Sequence, residues 1–240
     1  MKRFVFVFLI FIGFCVAETQ QQFAALGDFQ LESGEIIKNC RIGYRIIGNV
    51  NQDSSNIVLF PTWFGGTSEH LIGLIEKHNF IDPNKFLIIA VDALGNGIST
   101  SPSNYASEMP VFSIADMVNS QYKMLTEKLH IHHLYAIVGG SMGSFQAFQW
   151  LVSYPDFTDK AVPYVCSPVR SSSDKMWLNL EKDIIQLHQN NNIAEAETQR
   201  IMDILTAFFG RTQKYITENI STSEFDAYYH GFQAREATIF

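Results

Sequence analysis

Val138-Gly139-Gly140-Ser141-Met142-Gly143 lies between an apolar run, Leu134 to Val138, and a stretch from Ser144 to about Ser153 that reads as a helix ended by Pro155. A serine with glycine two places to either side, at a strand-to-helix junction, is the pattern of a tight turn that lifts a hydroxyl clear of the backbone. That hydroxyl is a weak nucleophile until an adjacent base takes its proton, and the oxyanion it generates on a carbonyl needs donors already in place. Ser141 is the candidate nucleophile, and the backbone N–H of Met142 the first candidate oxyanion donor.

Three further short apolar runs surround this turn: Ile57 to Phe60, Phe86 to Val91 and Ala161 to Cys166, the last despite Pro163. Continuous apolar runs suit strands buried on both faces. Ile114, Met117, Val118, Tyr122, Leu125 and Leu129 recur at helical spacing behind a Ser113/Asp116 capping box, so a helix is expected at about 114–128. Alternating strands and helices predict an α/β fold with a mainly parallel sheet flanked by helices. An antiparallel start precedes it, from Phe29 to Glu32 and Arg41 to Ile47, with Ser33-Gly34 as the turn. The loop after the first core strand, Pro61 to Gly66, is expected to supply the second oxyanion donor, from Phe64 or else from Trp63. Alternatively these two rings simply roof the core.

Beyond Ser167 the text turns helical, over Lys175 to His188 and Ile193 to Phe209, with no further buried-strand run. Apolar Ile204, Leu205, Phe208 and Phe209 on this part are candidates for pairing with a second copy. At the other end, Met1-Lys2-Arg3, an apolar run from Phe4 to Val16 and small Ala17 have the outline of a secretory signal peptide. The run is short for an uncleaved anchor. Residues 1–17 are therefore set apart, and 18–240 is read as one domain of a secreted or extracytoplasmic protein. Without Lys2 and Arg3 the formal net charge goes from −7 to −9, which argues against nucleic acid as a partner. Cys15 leaves with the leader, so Cys40 and Cys166 form at most one disulfide, or stay as two buried thiols.

Two other features carry no chemistry of their own. His130, His132 and His133 lack carboxylates or cysteines at metal-site spacing, so no metal is expected. Asp92 to Thr100 contains Gly95 and Gly97 but neither a dinucleotide fingerprint nor a phosphate loop, and reads as the loop after a core strand.

The chain resembles the α/β-hydrolase superfamily and, within it, the homoserine O-acetyltransferase branch. The likeness rests on Gly139 to Gly143, Gln146, Tyr154-Pro155-Asp156, Leu31-Glu32-Ser33-Gly34-Glu35, Ala93-Leu94-Gly95-Asn96-Gly97, and Asp116-Met117-Val118 with Gln121, and runs from about Leu26 to about Tyr228. The resemblance implies an α/β-hydrolase fold with a helical lid at about 170–235. It also implies acyl transfer through a serine ester, from acetyl-CoA as co-substrate to a small hydroxy amino acid, or plain ester hydrolysis with no bound cofactor. It places a lid arginine against a substrate carboxylate, for which Arg200 is the candidate and Arg211 the other; each also reads as a solvated charge on an amphipathic helix.

Three departures qualify the resemblance. In this fold the acid and then the histidine of the triad follow the serine on loops after later strands. Beyond Ser141 the histidines are His188 and His230, and neither they nor Asp156, Asp159, Asp174, Asp183, Asp203 and Asp226 match those positions. The expectation is a fragment carrying the N-terminal two thirds of the domain, the alternatives being a short inactive product and a binding protein on the same scaffold. A leader peptide also separates the protein from cytosolic acetyl-CoA and homoserine, favouring a hydrolase. Finally, Ser144-Phe145 stands where the family has glycine and then methionine, which alters how the helix after the serine packs.

Overall fold

The structure, a computed structural model, describes residues 19–190 and 192–229. Residues 1–17, the expected leader, and His230 lie outside the described residues. The first two strands, β1 (Gln22–Gln30) and β2 (Ile36–Ile47), form an antiparallel hairpin. Its turn falls at Leu31–Glu35, where the Leu31 N–H donates to the Glu35 carbonyl (2.8 Å), so Leu31 and Glu32 belong to the turn and not to the strand. Both strands begin before the expected segments, and a bulge around Gly27 shifts the register of β1 against β2. Ala24, Leu26 and Phe29 are buried in an order that strict alternation does not produce.

Next come β3 (Ile57–Pro61), α1 (Ser68–His78), β4 (Leu87–Val91), α2 (Ile114–Lys123), β5 (Ala136–Gly140), α3 (Met142–Ser153) and β6 (Ala161–Tyr164). The sheet order is β1-β2-β4-β3-β5-β6, antiparallel up to β4 and parallel from there on. Successive residues of β3, β4 and β5 enter opposite layers. Ile57, Leu59, Ile89, Val91 and Ile137 meet Val118 and Trp150 on one face, while Val58, Phe60, Ile88, Ala90 and Val138 meet Leu71, Ile72 and Ile75 of α1 on the other. Burial on both faces is why these runs read as continuously apolar.

The helix expected at 114–128 is α-helical only to Lys123. Its last turn, Met124–Lys128, widens to a π-turn in which the Leu129 N–H reaches the Met124 carbonyl (3.1 Å). The extra residue lets the neighbouring Met124 and Leu125 both bury completely. Strand β6 stops at Tyr164 and not at Cys166, because Val165 turns left-handed at φ 54°. The tail consists of α4 (Ser172–Gln189), α5 (Glu195–Phe209) and an unanticipated α6 (Gln213–Asn219). Both described cysteines are free, but Cys40 is buried and Cys166 exposed, so neither a disulfide nor a pair of buried thiols is present. Among the described residues no helix is long and apolar enough to cross a membrane.

Candidate active site

Ser141 stands at the end of β5 and caps α3 with φ 51° and ψ −120°, a conformation costly for a residue with a side chain. The surrounding structure holds it there from both sides. The Ser141 N–H donates to the Tyr164 carbonyl (3.1 Å), and the Ser141 carbonyl accepts from the Ser144 N–H (2.9 Å). Ser144 is buried, and its hydroxyl lies 2.8 Å from the Gly139 carbonyl and 2.6 Å from that of Tyr164, clasping the ends of β5 and β6 under the turn. The turn is so tight that a Cβ on Gly139 would lie 2.1 Å from the Gly143 carbonyl oxygen, and one on Gly143 would lie 2.6 Å from the Pro61 carbonyl oxygen. Glycine is required at both places by close approach. Ser141 itself is exposed.

Because α3 starts at Met142, the Met142 N–H is one of the helix's first donors, which have no partner within the helix, and it adjoins the serine. The contact between Gly143 and Pro61 brings the loop after β3 against the same first turn. In that loop the Thr62 N–H is committed to the Val91 carbonyl (3.0 Å), and the Gly66 N–H to that of Trp63 (3.0 Å). Trp63 and Phe64 therefore keep their places as candidate donors. Their side chains differ: Phe64 is 66% exposed, whereas Trp63 folds over Gly66 and stacks on His70, with ring centroids 6.3 Å apart. Asn96 supports this turn from behind, its Nδ2 donating to the Gly66 carbonyl and to buried Asp92, both at 3.0 Å. Asp92 also accepts from the N–H (2.7 Å) and hydroxyl (2.8 Å) of Ser68 at the start of α1.

Several of the letters that carried the resemblance are joined by hydrogen bonds between α2, α3 and the loop after β3. The Trp150 indole donates to Gln121 (2.9 Å), the Gln121 amide to Gln146 (2.6 Å), and the Gln146 amide to the Thr62 carbonyl (3.0 Å). The Tyr154 hydroxyl donates to Asn119 (2.9 Å), and Tyr154 stacks on Tyr122 at 3.9 Å. Asp116 closes the capping box of α2 and accepts the Glu32 N–H (2.8 Å), pinning the hairpin turn to that helix. These polar letters thus tie α2 to α3, to the loop after β3 and to the hairpin turn, a role that the spacing of the letters alone does not disclose.

Phe145 lies in the first turn of α3, its N–H 3.4 Å from the Ser141 carbonyl, while Arg200, Arg211, His188 and His133 have their partners elsewhere. Phe145 is half-buried, with the Arg170 guanidinium 5.7 Å from its ring, which ties the start of the tail to the elbow helix. Arg200 is exposed on α5 and bonded twice to Glu197 (2.6 and 3.0 Å), whose carboxylate pushes the Arg200 pKa up. Arg211 is exposed and donates to the Gly210 carbonyl (2.8 Å). His188 sits with Nδ1 3.2 Å from the Ile193 carbonyl. His133 pairs with Asp159 at 3.0 Å, and among the described residues no three His, Cys, Asp or Glu are grouped to hold a metal ion.

Residues 56–192 match the alpha/beta hydrolase fold family, and the chain belongs to it. It is 38% identical to a probable esterase of Corynebacterium glutamicum over 76% of this chain and 55% of that protein. Against an ethyl acetate hydrolase of Pseudomonas veronii it is 36% identical over 65% of this chain and 46% of the relative. Against a homoserine O-acetyltransferase of Methanosalsum zhilinae it is 34% identical over 60% of this chain and 33% of the relative. The chain spans about half the length of the first two of these relatives. Among solved structures, the acetyl esterase MekB superposes with a TM-score of 0.78 at 26% identity, over 90% of this chain and 68% of that one. An acetylester hydrolase from Corynebacterium glutamicum gives 0.76 at 27% identity, over 89% of this chain and 68% of that one.

Proposed function

We propose that this protein is a serine hydrolase of small carboxylic esters, acetyl esters foremost, acting through an acyl-Ser141 intermediate. One observation carries the reading: Ser141 is held exposed, in a left-handed conformation, at the tip of β5 and at the N-terminus of α3. On this reading the Ser141 oxygen attacks the ester carbonyl carbon and its proton goes to a histidine base. The oxyanion rests on the Met142 N–H and on an N–H of Trp63 or Phe64. Collapse expels the alcohol, which takes the proton, and water then cleaves the acyl-serine to release the acid and free the hydroxyl. The histidine and its acid belong, by the order of this fold, on loops after strands that follow β6.

Esterases and acetyltransferases on this scaffold share every step up to the acyl-serine and differ in what accepts the acyl group. The leader outline of residues 1–17 favours water, since acetyl-CoA and homoserine are cytosolic. Of Ile204, Leu205, Phe208 and Phe209, Phe208 is exposed and is what a second copy would cover, while the other three are half-buried, Phe209 stacking on Trp177. The test is a paired assay on the purified full chain: hydrolysis of p-nitrophenyl acetate and ethyl acetate, against acetyl transfer from acetyl-CoA to homoserine. Ester turnover without transfer supports the hydrolase; transfer faster than hydrolysis overturns it in favour of the acyltransferase.

A further inference from the structure

We infer that Gln146 is a positioning residue for the oxyanion site, fixing the Thr62–Trp63 peptide so that Trp63 provides the second donor. The inference rests on the acyl-Ser141 reading and deepens it. The direction of the hydrogen-bond chain under the site is set at its far end. An indole N–H only donates, so Gln121 must turn its carbonyl oxygen to Trp150 and its amide to Gln146. Gln146 must then accept on its oxygen, and it has only its NH2 to offer the Thr62 carbonyl (3.0 Å) and, more distantly, the Met142 carbonyl (3.4 Å). Thr62 is fully buried, and its other groups are tied to the end of β4 and the loop after it: its N–H to the Val91 carbonyl and its hydroxyl oxygen to the Ala93 N–H, both at 3.0 Å.

A trans peptide carries its C=O and the following N–H in opposite directions. With the Thr62 carbonyl drawn inward to Gln146, the Trp63 N–H points away from the interior, to the side on which Ser141 is exposed. The same carbonyl lies 3.4 Å from where a Cβ on Gly143 would stand, so this peptide runs alongside the helix turn that offers the Met142 N–H. Gln146 therefore sets the two donors relative to one another: it sits in α3 one turn beyond Met142 and grips the peptide that ends in the Trp63 N–H. A donor turned out of line loses most of its value to the transition state while leaving ground-state binding nearly intact.

The test uses Gln146→Met, which keeps the length of the side chain and removes the donor, and Gln146→Glu, which keeps the shape and replaces the amide by a carboxyl. With p-nitrophenyl acetate as probe, Gln146→Met is expected to lower kcat by about 10- to 100-fold with KM within about threefold. Affinity for a trifluoromethyl ketone, whose hemiketal oxygen occupies the oxyanion position, should weaken by the same factor as kcat falls. In Gln146→Glu, activity relative to the unmodified protein should rise as pH falls, because the protonated carboxyl again donates to the Thr62 carbonyl. Unchanged kcat, or lowered kcat with unchanged ketone affinity, overturns the inference. Should circular dichroism show Gln146→Met unfolded, a flat activity ratio against pH in Gln146→Glu overturns it alone. Failure of the unmodified protein to form an acyl-serine removes the underlying reading and this inference with it; normal acylation in all three proteins removes only the inference.

Discussion

Gly139 and Gly143 approach each other so closely at the elbow that a Cβ on the first would lie 2.1 Å from the carbonyl oxygen of the second. The obstacle is backbone at the start of α3, which cannot swing aside as a side chain would. Gly139→Ala should therefore destabilise the fold by about 3 kcal/mol or more, above the usual range for overpacking. Urea unfolding monitored by circular dichroism checks it; a change below about 1 kcal/mol would mean that α3 can slide relative to β5.

Ser144 joins two strand ends through one hydroxyl, and the partner carbonyls are those of Gly139 and Tyr164. Ser144→Ala removes the single hydroxyl proton that these two carbonyls share, while the Tyr164 carbonyl keeps the Ser141 N–H. The expected cost is about 1–2 kcal/mol, within the range for a buried hydrogen bond. Denaturant midpoints with an unchanged slope would confirm it.

The two described cysteines, Cys40 and Cys166, should differ in reactivity. Burial pushes the Cys40 thiol up to about 11 from its ordinary 9.0, while Cys166 is exposed. In native protein near pH 8 an aromatic disulfide reagent should titrate Cys166 rapidly and Cys40 only on unfolding. The sign for stability follows from linkage. The unfolded thiol ionises above about pH 9, while the folded one stays protonated until about pH 11, so the unfolded state binds fewer protons in that window. Stability contributed by this group is full below pH 9 and declines towards pH 11 by no more than about 3 kcal/mol. Pairing the pH profiles of the unmodified protein and Cys40→Ala isolates the effect.

Asp116 serves two elements at once, closing the α2 capping box with Ser113 and holding the Glu32 N–H of the hairpin turn. Asp116→Ala should cost about 2 kcal/mol or more, because a helix cap and a tertiary clamp are lost together. Hydrogen exchange at Glu32 and at the first turn of α2 should accelerate in this variant while β5 stays protected.

Much of this fold was legible because its central strands are short and wholly apolar. Ile57 to Phe60, Phe86 to Val91 and Leu134 to Val138 declare burial on both faces. The glycines around Ser141 mark the elbow in a way no other residue could satisfy. The hairpin was harder, since the bulge at Gly27 breaks the period-two signal just where Ala24, Leu26 and Phe29 turn inward. The π-turn at Met124 was hidden because its burial pattern differs from a helix by one residue. Gln121, Gln146 and Trp150 could be noticed as letters, but their joint role depends on bringing together α2, α3 and the loop after β3, which no local pattern encodes. The destination of Arg200 was open for the same reason: a charged helix face reads alike whether it meets solvent or substrate.

Covalent labelling of the purified full chain with a fluorophosphonate, followed by peptide mass spectrometry, decides whether Ser141 is the nucleophile. One adduct is expected, on the Ser141 hydroxyl, suppressed by excess acetyl ester and absent from Ser141→Ala together with ester turnover. An adduct on another serine, or turnover that survives Ser141→Ala, would contradict it and place the chemistry elsewhere in the protein.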